Sequence, residues 1–155
     1  MTADVWSFAV ALYARPGVED ACLQLQDAGA DVLLLLSGAW LGRAGVDYSE
    51  ERLGALRAVA APWQRQVIAP LRALRQSWRT QAQQDEQLAG LREQIKRLEL
   101  EAEKMALSRL EDVALDWHGD GADDLQRWLE GCAGEAGRQC RVALEELRNA
   151  ACQDA

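Results

Sequence analysis

Val67-Ile68-Ala69-Pro70-Leu71-Arg72-Ala73-Leu74-Arg75-Gln76-Ser77-Trp78 is the stretch on which the fold reading turns. Val67, Leu71, Leu74 and Trp78 stand at i, i+4, i+7 and i+11, the spacing of one apolar face on a 3.6-residue helix. A half-buried strand would need alternation with a period of two, and no such run bounded by hairpin turns is found in the chain. The spacing predicts a helix with one continuous core stripe. Pro70 lies inside it and removes a backbone donor, so a kink is expected there. Arg72, Arg75 and Arg79 directly follow Leu71, Leu74 and Trp78, and Arg65 lies seven residues before Arg72. These four guanidinium groups form a ridge about 100° round the helix from the apolar stripe.

Upstream, the same period recurs between helix signals. Asp4 is placed to cap a first helix carrying Trp6, Phe8, Ala9, Val10, Leu12 and Tyr13, and Arg15-Pro16-Gly17 to stop it. A second helix carries Val18, Cys22 and Leu25 and ends near Gly29. Asp31 caps Val32 to Trp40, and Gly42 closes that helix. Ser49 opens a fourth with Leu53, Leu56 and Ala60 in step, and Pro62 is placed to begin a fifth at its first turn. The most hydrophobic run, Ala30 to Leu41, is about a dozen residues and holds Asp31 and Ser37. A membrane-spanning helix needs about 20 apolar residues, so this run reads as a buried helix.

Downstream, Leu88, Leu91, Ile95, Leu98, Ala102 and Met105 alternate three and four apart, an a/d seam across nearly three heptads. Arg109 and Asp112 interrupt it, so the expectation is a long helix around 85–115 that packs along a bundle or pairs with another chain. Residues 116–124 form an acidic, Gly-containing loop, followed by a short helix and a last helix around Val142 to Ala151. The fold class expected is all-α, a single bundle of about six or seven helices. It divides into a helical domain, 1–115, and an acidic loop with a loosely attached C-terminal helical tail, 116–155.

The 155 residues carry 17 basic and 25 acidic side chains and a net charge of −8. That charge is unevenly placed. Residues 1–84 hold eight Arg and eight acids, leaving nine basic and 17 acidic side chains, and so the whole −8, to residues 85–155. No acid lies between Glu51 and Asp85. The Arg ridge has three readings: pairing with Glu93, Glu99 or Glu103 of the following helix, docking of an acidic protein partner, or phosphate binding. The overall charge and the lack of a recognised motif argue against nucleic acid as a partner.

Catalytic chemistry has little to build on. His118 is the only histidine, which excludes the usual di-metal carboxylate bundle with its two Glu-x-x-His pairs. No nucleophile elbow and no Gly-rich phosphate loop occurs. Asp116, Asp120, Gly121 and Asp124 match positions one, five, six and nine of a calcium loop, but Arg127 stands where a bidentate Glu is required. Asp120, Asp123 and Asp124 are only a faint echo of an Asp-rich magnesium motif. Cys22, Cys132, Cys140 and Cys152 show no Cys-x-x-Cys spacing, and the N-terminus carries Asp4 where a secretory signal would be basic. Reduced thiols, a cytoplasmic location, and no metal or cofactor are the expectation. Among six Trp, Trp6, Trp40, Trp63 and Trp78 point inward by period. Core packing is their ordinary role, and with Tyr13 they are also the candidates to line a pocket for a lipid or small ligand.

Several short motifs occur together: Trp6-x-Phe8, Tyr13, Pro16-Gly17-Val18, Cys22-Leu23-x-Leu25-Gln26-Asp27, Gly29-x-Asp31-Val32, Trp40-Leu41-Gly42, Pro62-Trp63 and Pro70-Leu71-Arg72. Over about Val5 to Leu110 they resemble a family of small uncharacterised proteobacterial proteins, catalogued as a domain of unknown function. The resemblance implies a bacterial cytoplasmic helical protein and supplies no catalytic residues. The functional expectation is a non-catalytic interaction or adaptor protein, acting on an unknown protein partner or on itself. It would present Arg65, Arg72, Arg75 and Arg79 together with the seam Leu88, Leu91, Ile95, Leu98 and Met105. The alternative is a small-molecule or lipid-binding protein using the Trp-lined pocket.

Overall fold

Helix follows helix along the computed structural model, which describes residues 4–153, and no strand occurs among them. The elements are α1 (Val5–Tyr13), α2 (Val18–Asp27), α3 (Val32–Arg43), α4 (Glu50–Trp63), a π turn (Gln64–Ile68), α5 (Ala69–Ser77) and α6 (Arg79–Ala82). They continue with α7 (Glu86–Val113), α8 (Leu125–Ala133), α9 (Glu135–Gln139) and α10 (Arg141–Cys152). The fold is all-α, with the long helix where the seam predicted it. The expected six or seven rods appear as more segments because α4, the π turn, α5 and α6 adjoin without a loop. Single residues likewise separate α8, α9 and α10.

Local chemistry sets the helix starts. The Asp4 carboxylate accepts from the Ser7 N–H at 2.8 Å, Asp31 from Leu33 and Leu34 at 3.0 and 3.3 Å, and Ser49 from Arg52 at 3.1 Å. Asp85 does the same for Gln87 and Leu88. Each satisfies N–H groups that the first turn leaves without a partner.

Helix α3 is the axis of the core. Leu33 to Ala39, Leu41 and Gly42 are all buried, and α1, α2, α4, α7, α8 and α10 pack round it. Its closest partner is α8, and small residues make that approach feasible. A Cβ on Gly42 would lie 2.6 Å from the Leu125 Cα, and one on Gly38 would lie 2.7 Å from the Cys132 Sγ. Trp128 of α8 is fully buried, donates its indole N–H to the Val46 carbonyl at 2.9 Å, and meets Tyr48 edge-on at 5.1 Å.

The C-terminal segment is therefore part of the core. Leu125, Leu129, Cys132, Ala143 and Leu147 are buried, and α10 packs on α2 and α8. The loosely attached tail expected from the acidic loop is corrected by these contacts. The loop itself is tied down: Gly45, at φ +77°, offers its carbonyl to the N–H groups of Asp120 and Ala122, both at 3.1 Å. A residue with a Cβ would be strained in that conformation.

Two expectations about prolines also change. Pro62 lies inside α4, not at a new helix start. The chain widens just afterwards, where the Ala69 N–H bonds the Gln64 carbonyl five residues back. That extra residue in the turn rotates the apolar stripe, so Ile68 is fully buried while Val67 is only half-buried. Pro70 follows in the first turn of α5, where its missing N–H costs little. No residue of α5 is fully buried: Leu71 and Trp78 are half-buried and Leu74 is 37% exposed. The expected continuous core stripe is thus a half-covered one, because α5 packs chiefly on α7, the π turn and α6.

Candidate functional site: a helical arm and the pocket at its base

Helices α5 and α6 turn back at Gln83–Asp85 and run antiparallel to the first half of α7. Arg75 fixes the register, since its carbonyl accepts from the Arg92 Nε at 2.9 Å and its guanidinium reaches Glu99. No residue of α7 before Glu99 is fully buried. The pair is an arm about 20 Å long, taking 1.5 Å per residue over 86–99. Isolated helices of this length are marginal in water, so specific contacts must hold it.

Those contacts centre on Glu99, which is 6% exposed. Arg75 grips it with Nε at 2.6 Å and Nη2 at 3.3 Å, and the Arg72 Nε donates at 3.3 Å. The Gln26 side-chain carbonyl, turned toward Arg72, accepts from the same guanidinium. Burial pushes the Glu99 carboxyl up, but hydrogen bonds and charge from Arg75 and Arg72 outweigh this and hold it below its ordinary value. The Arg ridge is thereby divided. Arg72 and Arg75 are spent inside the molecule, on one of the three acids named for that pairing, while Arg65 and Arg79 are exposed.

The seam on α7 divides too. Arg92 and Glu99 face α5, and Leu88, Ile95 and Ala102 share their face at steps of three and four. Leu88 and Ile95 are half-buried and Ala102 is buried. Leu91, Leu98 and Met105 lie on the neighbouring face at seven-residue steps, and are 50%, 49% and 52% exposed.

Where the arm joins the body, a pocket of about 460 Å³ opens between α1, α3 and α7. Trp6, Tyr13, Leu33, Leu36 and Leu107 give it apolar walls, and Glu19, Asp31, Arg72 and Glu103 bring charge to it. Of the aromatic residues proposed for a pocket, Trp6 and Tyr13 line this one, and Trp40, Trp63 and Trp78 do not. Trp63 instead donates its indole N–H to the Ala102 carbonyl at 2.9 Å, under the Arg109 guanidinium 3.9 Å above its ring. The polar half of the pocket was not foreseen. In sequence Asp31 is a helix cap within the Gly29-x-Asp31-Val32 motif, and Gln26 is a motif residue with no partner in view.

Glu103 sits one turn beyond Glu99 with the opposite shift. Burial and the Glu99 charge push its carboxyl up, Arg72 and Arg75 only partly opposing. Burial likewise raises Asp31 against its cap hydrogen bonds. The signs have consequences for stability. A carboxyl lowered on folding stabilises above the ordinary Glu range, about 4.3, and that contribution is lost as pH falls through its folded value. A raised one costs stability as pH rises from the ordinary value to the folded one. Glu99→Gln is expected to cost about 1–3 kcal/mol at pH 7 and to flatten the acid-side loss. Glu103→Gln should be neutral or slightly stabilising. Urea unfolding of both variants from pH 4 to 7 checks this; two curves displaced in the same direction would contradict it.

Elsewhere the chemistry is sparse. Among the described residues no three His, Cys, Asp or Glu side chains come together as a metal ion requires. Asp124 of the acidic loop accepts from the Tyr48 N–H at 2.8 Å, and His118 is exposed. Cys22 and Cys132 are buried thiols pushed by burial to about 11 and about 12. No helix of the described residues is long and apolar enough to cross a membrane.

A family model described as a protein of unknown function (DUF2390) matches residues 4–110. The chain belongs to this family. The DUF2390 segment runs from α1 to near the end of α7 and contains the whole arm and every residue of the pocket. It leaves out α8, against which α3 packs most closely. The DUF2390 helices of this chain thus complete their core with residues from outside the matched segment. No curated protein and no solved structure matches the chain.

Proposed function

We propose that the protein is a non-catalytic interaction module whose arm pairs with the arm of a second copy. The observation that carries this is the stripe Leu91, Leu98 and Met105. Three large apolar side chains, each about half exposed, repeat at heptad spacing on a helix covered along one side only. An antiparallel helix pair with one open apolar stripe is half of a four-helix bundle.

Charge favours a second copy as the occupant. The limb 64–84 carries four Arg and no acid, whereas the limb 85–101 carries five acids against three basic residues. A two-fold axis lays the basic limb of each arm beside the acidic limb of the other, where the exposed Arg65 and Arg79 find partners. Arg72 and Arg75 set the arm's geometry from within and take no part in the contact.

Sedimentation equilibrium of the wild type, Leu98→Asp and Ile95→Asp tests the reading. Leu98→Asp should shift the protein from dimer to monomer with helicity unchanged. Ile95→Asp, on the face turned to α5, should lower helicity as well. If Leu98→Asp leaves the association state where it was, the stripe is not the contact.

A further inference from the structure

The pocket at the base of the arm has a chemical character of its own, independent of arm pairing. We infer that it binds an organic ammonium ion carrying an aliphatic chain, with the chain on the Leu33, Leu36 and Leu107 floor and the charge beside Asp31.

Size and lining fit a small molecule. About 460 Å³ lies within the usual range for ligand pockets, and apolar walls with a few convergent polar groups are the usual composition. The polar groups decide the sign of the ligand's charge. Arg72 is the one cationic side chain in the lining among the described residues. Its Nε is engaged by Glu99, and its terminal nitrogens by Gln26. Arg72 and Arg75 together bring two positive charges, which Glu99 and Glu103 balance. Asp31 and Glu19 then remain as two acids in the lining that form no ion pair among the described residues, Arg72 acting on Asp31 only through its field.

The Asp31 carboxylate is half-buried and spends one oxygen on the α3 cap, leaving Oδ2 without a hydrogen bond among the described residues. Burial raises the Asp31 carboxyl even against its cap hydrogen bonds and the charge of Arg72, so a bound cation beside it offsets a cost that these leave standing. Among the described residues these acids belong to no group of three that could hold a metal ion. They suit a cation with an organic body that spans the pocket. Tyr13 adds an aromatic face, and the Trp6 ring already holds the Lys104 ammonium 4.7 Å from its centroid.

Isothermal titration of the full chain with three six-carbon probes tests this: n-hexylammonium, hexanoate and 1-hexanol. Hexylammonium should bind at least tenfold more tightly than either of the others. Asp31→Asn keeps a good helix cap while removing the charge, so the variant should fold with an unchanged circular dichroism spectrum and lose at least tenfold in hexylammonium affinity. Leu33→Trp, which fills the floor, should weaken all three probes. Preferential binding of hexanoate would overturn the inference by making Arg72 the anchor. Equal binding of hexanol would overturn it by making the site merely apolar, and binding of no probe would overturn it outright. Asp31 lies outside the arm, so this failure and a failure of dimerisation are separately visible.

Discussion

Trp128→Ala is expected to remove about 3–5 kcal/mol of folding stability, the range for deleting a fully buried aromatic side chain. The side chain is 0% exposed, and its indole N–H holds the Val46 carbonyl at the exit of α3. It also packs against Tyr48 edge-on and lies nearly parallel to Trp117 at 6.3 Å. Removal leaves a cavity beside α3 and a carbonyl without its donor, so the transfer loss and the hydrogen-bond loss act together. Against a typical stability of about 5–15 kcal/mol this is a large fraction, and a fall in Tm on the order of 10 °C follows. Thermal unfolding followed by circular dichroism measures it. A loss below about 1 kcal/mol would mean that α8 is dispensable to the core.

Gly42→Ala should destabilise although alanine is the better helix former, by about 1 kcal/mol intrinsically. The added methyl would sit 2.6 Å from the Leu125 Cα. That is backbone, which no rotamer change can move aside, so α3 and α8 must separate along their closest contact. Overpacking of this kind costs about 1–3 kcal/mol and can exceed the propensity gain. Gly54→Ala on the exposed side of α4 is the matched control. A Cβ there meets nothing within 4 Å, so this change should stabilise by up to about 1 kcal/mol. Urea midpoints of the two variants should therefore move in opposite directions. Equal stabilisation by both would show that the helices are free to part at Gly42.

The sequence carried the helices well because their signals are local. Asp4, Asp31, Ser49 and Asp85 are caps whose partners lie two or three residues away, and such contacts can be read without tertiary knowledge. Trp128 is equally legible, since Leu125, Trp128, Leu129 and Cys132 stand at i, i+3, i+4 and i+7, but the acidic loop before this helix gives no local sign that it packs back on α3. The α7 seam shows what periodicity cannot resolve. Leu88, Leu91, Ile95 and Leu98 form one apolar band by spacing, but only one edge of the band meets α5. Which edge it meets depends on where Arg72 and Arg75 find Glu99, 24 to 27 residues away.

The pocket was only half visible for the same reason. Trp6 and Tyr13 announce themselves as aromatic residues on one helix. Asp31, Arg72 and Glu103 come together through tertiary packing, and in sequence they look like a cap, a ridge member and a candidate partner of the ridge. The π turn had no sequence signal beyond the two prolines on either side of it. It nonetheless sets the phase between α4 and α5, and so the position of Arg72 and Arg75 over Glu99.

Arm pairing is tested most directly by the mass of the full chain in solution, taken by light scattering from low micromolar to about a hundred micromolar. A value rising to twice 17.1 kDa, and remaining at 17.1 kDa for Leu98→Asp, is the result that pairing through the Leu91, Leu98 and Met105 stripe predicts. A wild-type mass of 17.1 kDa at every concentration would contradict it.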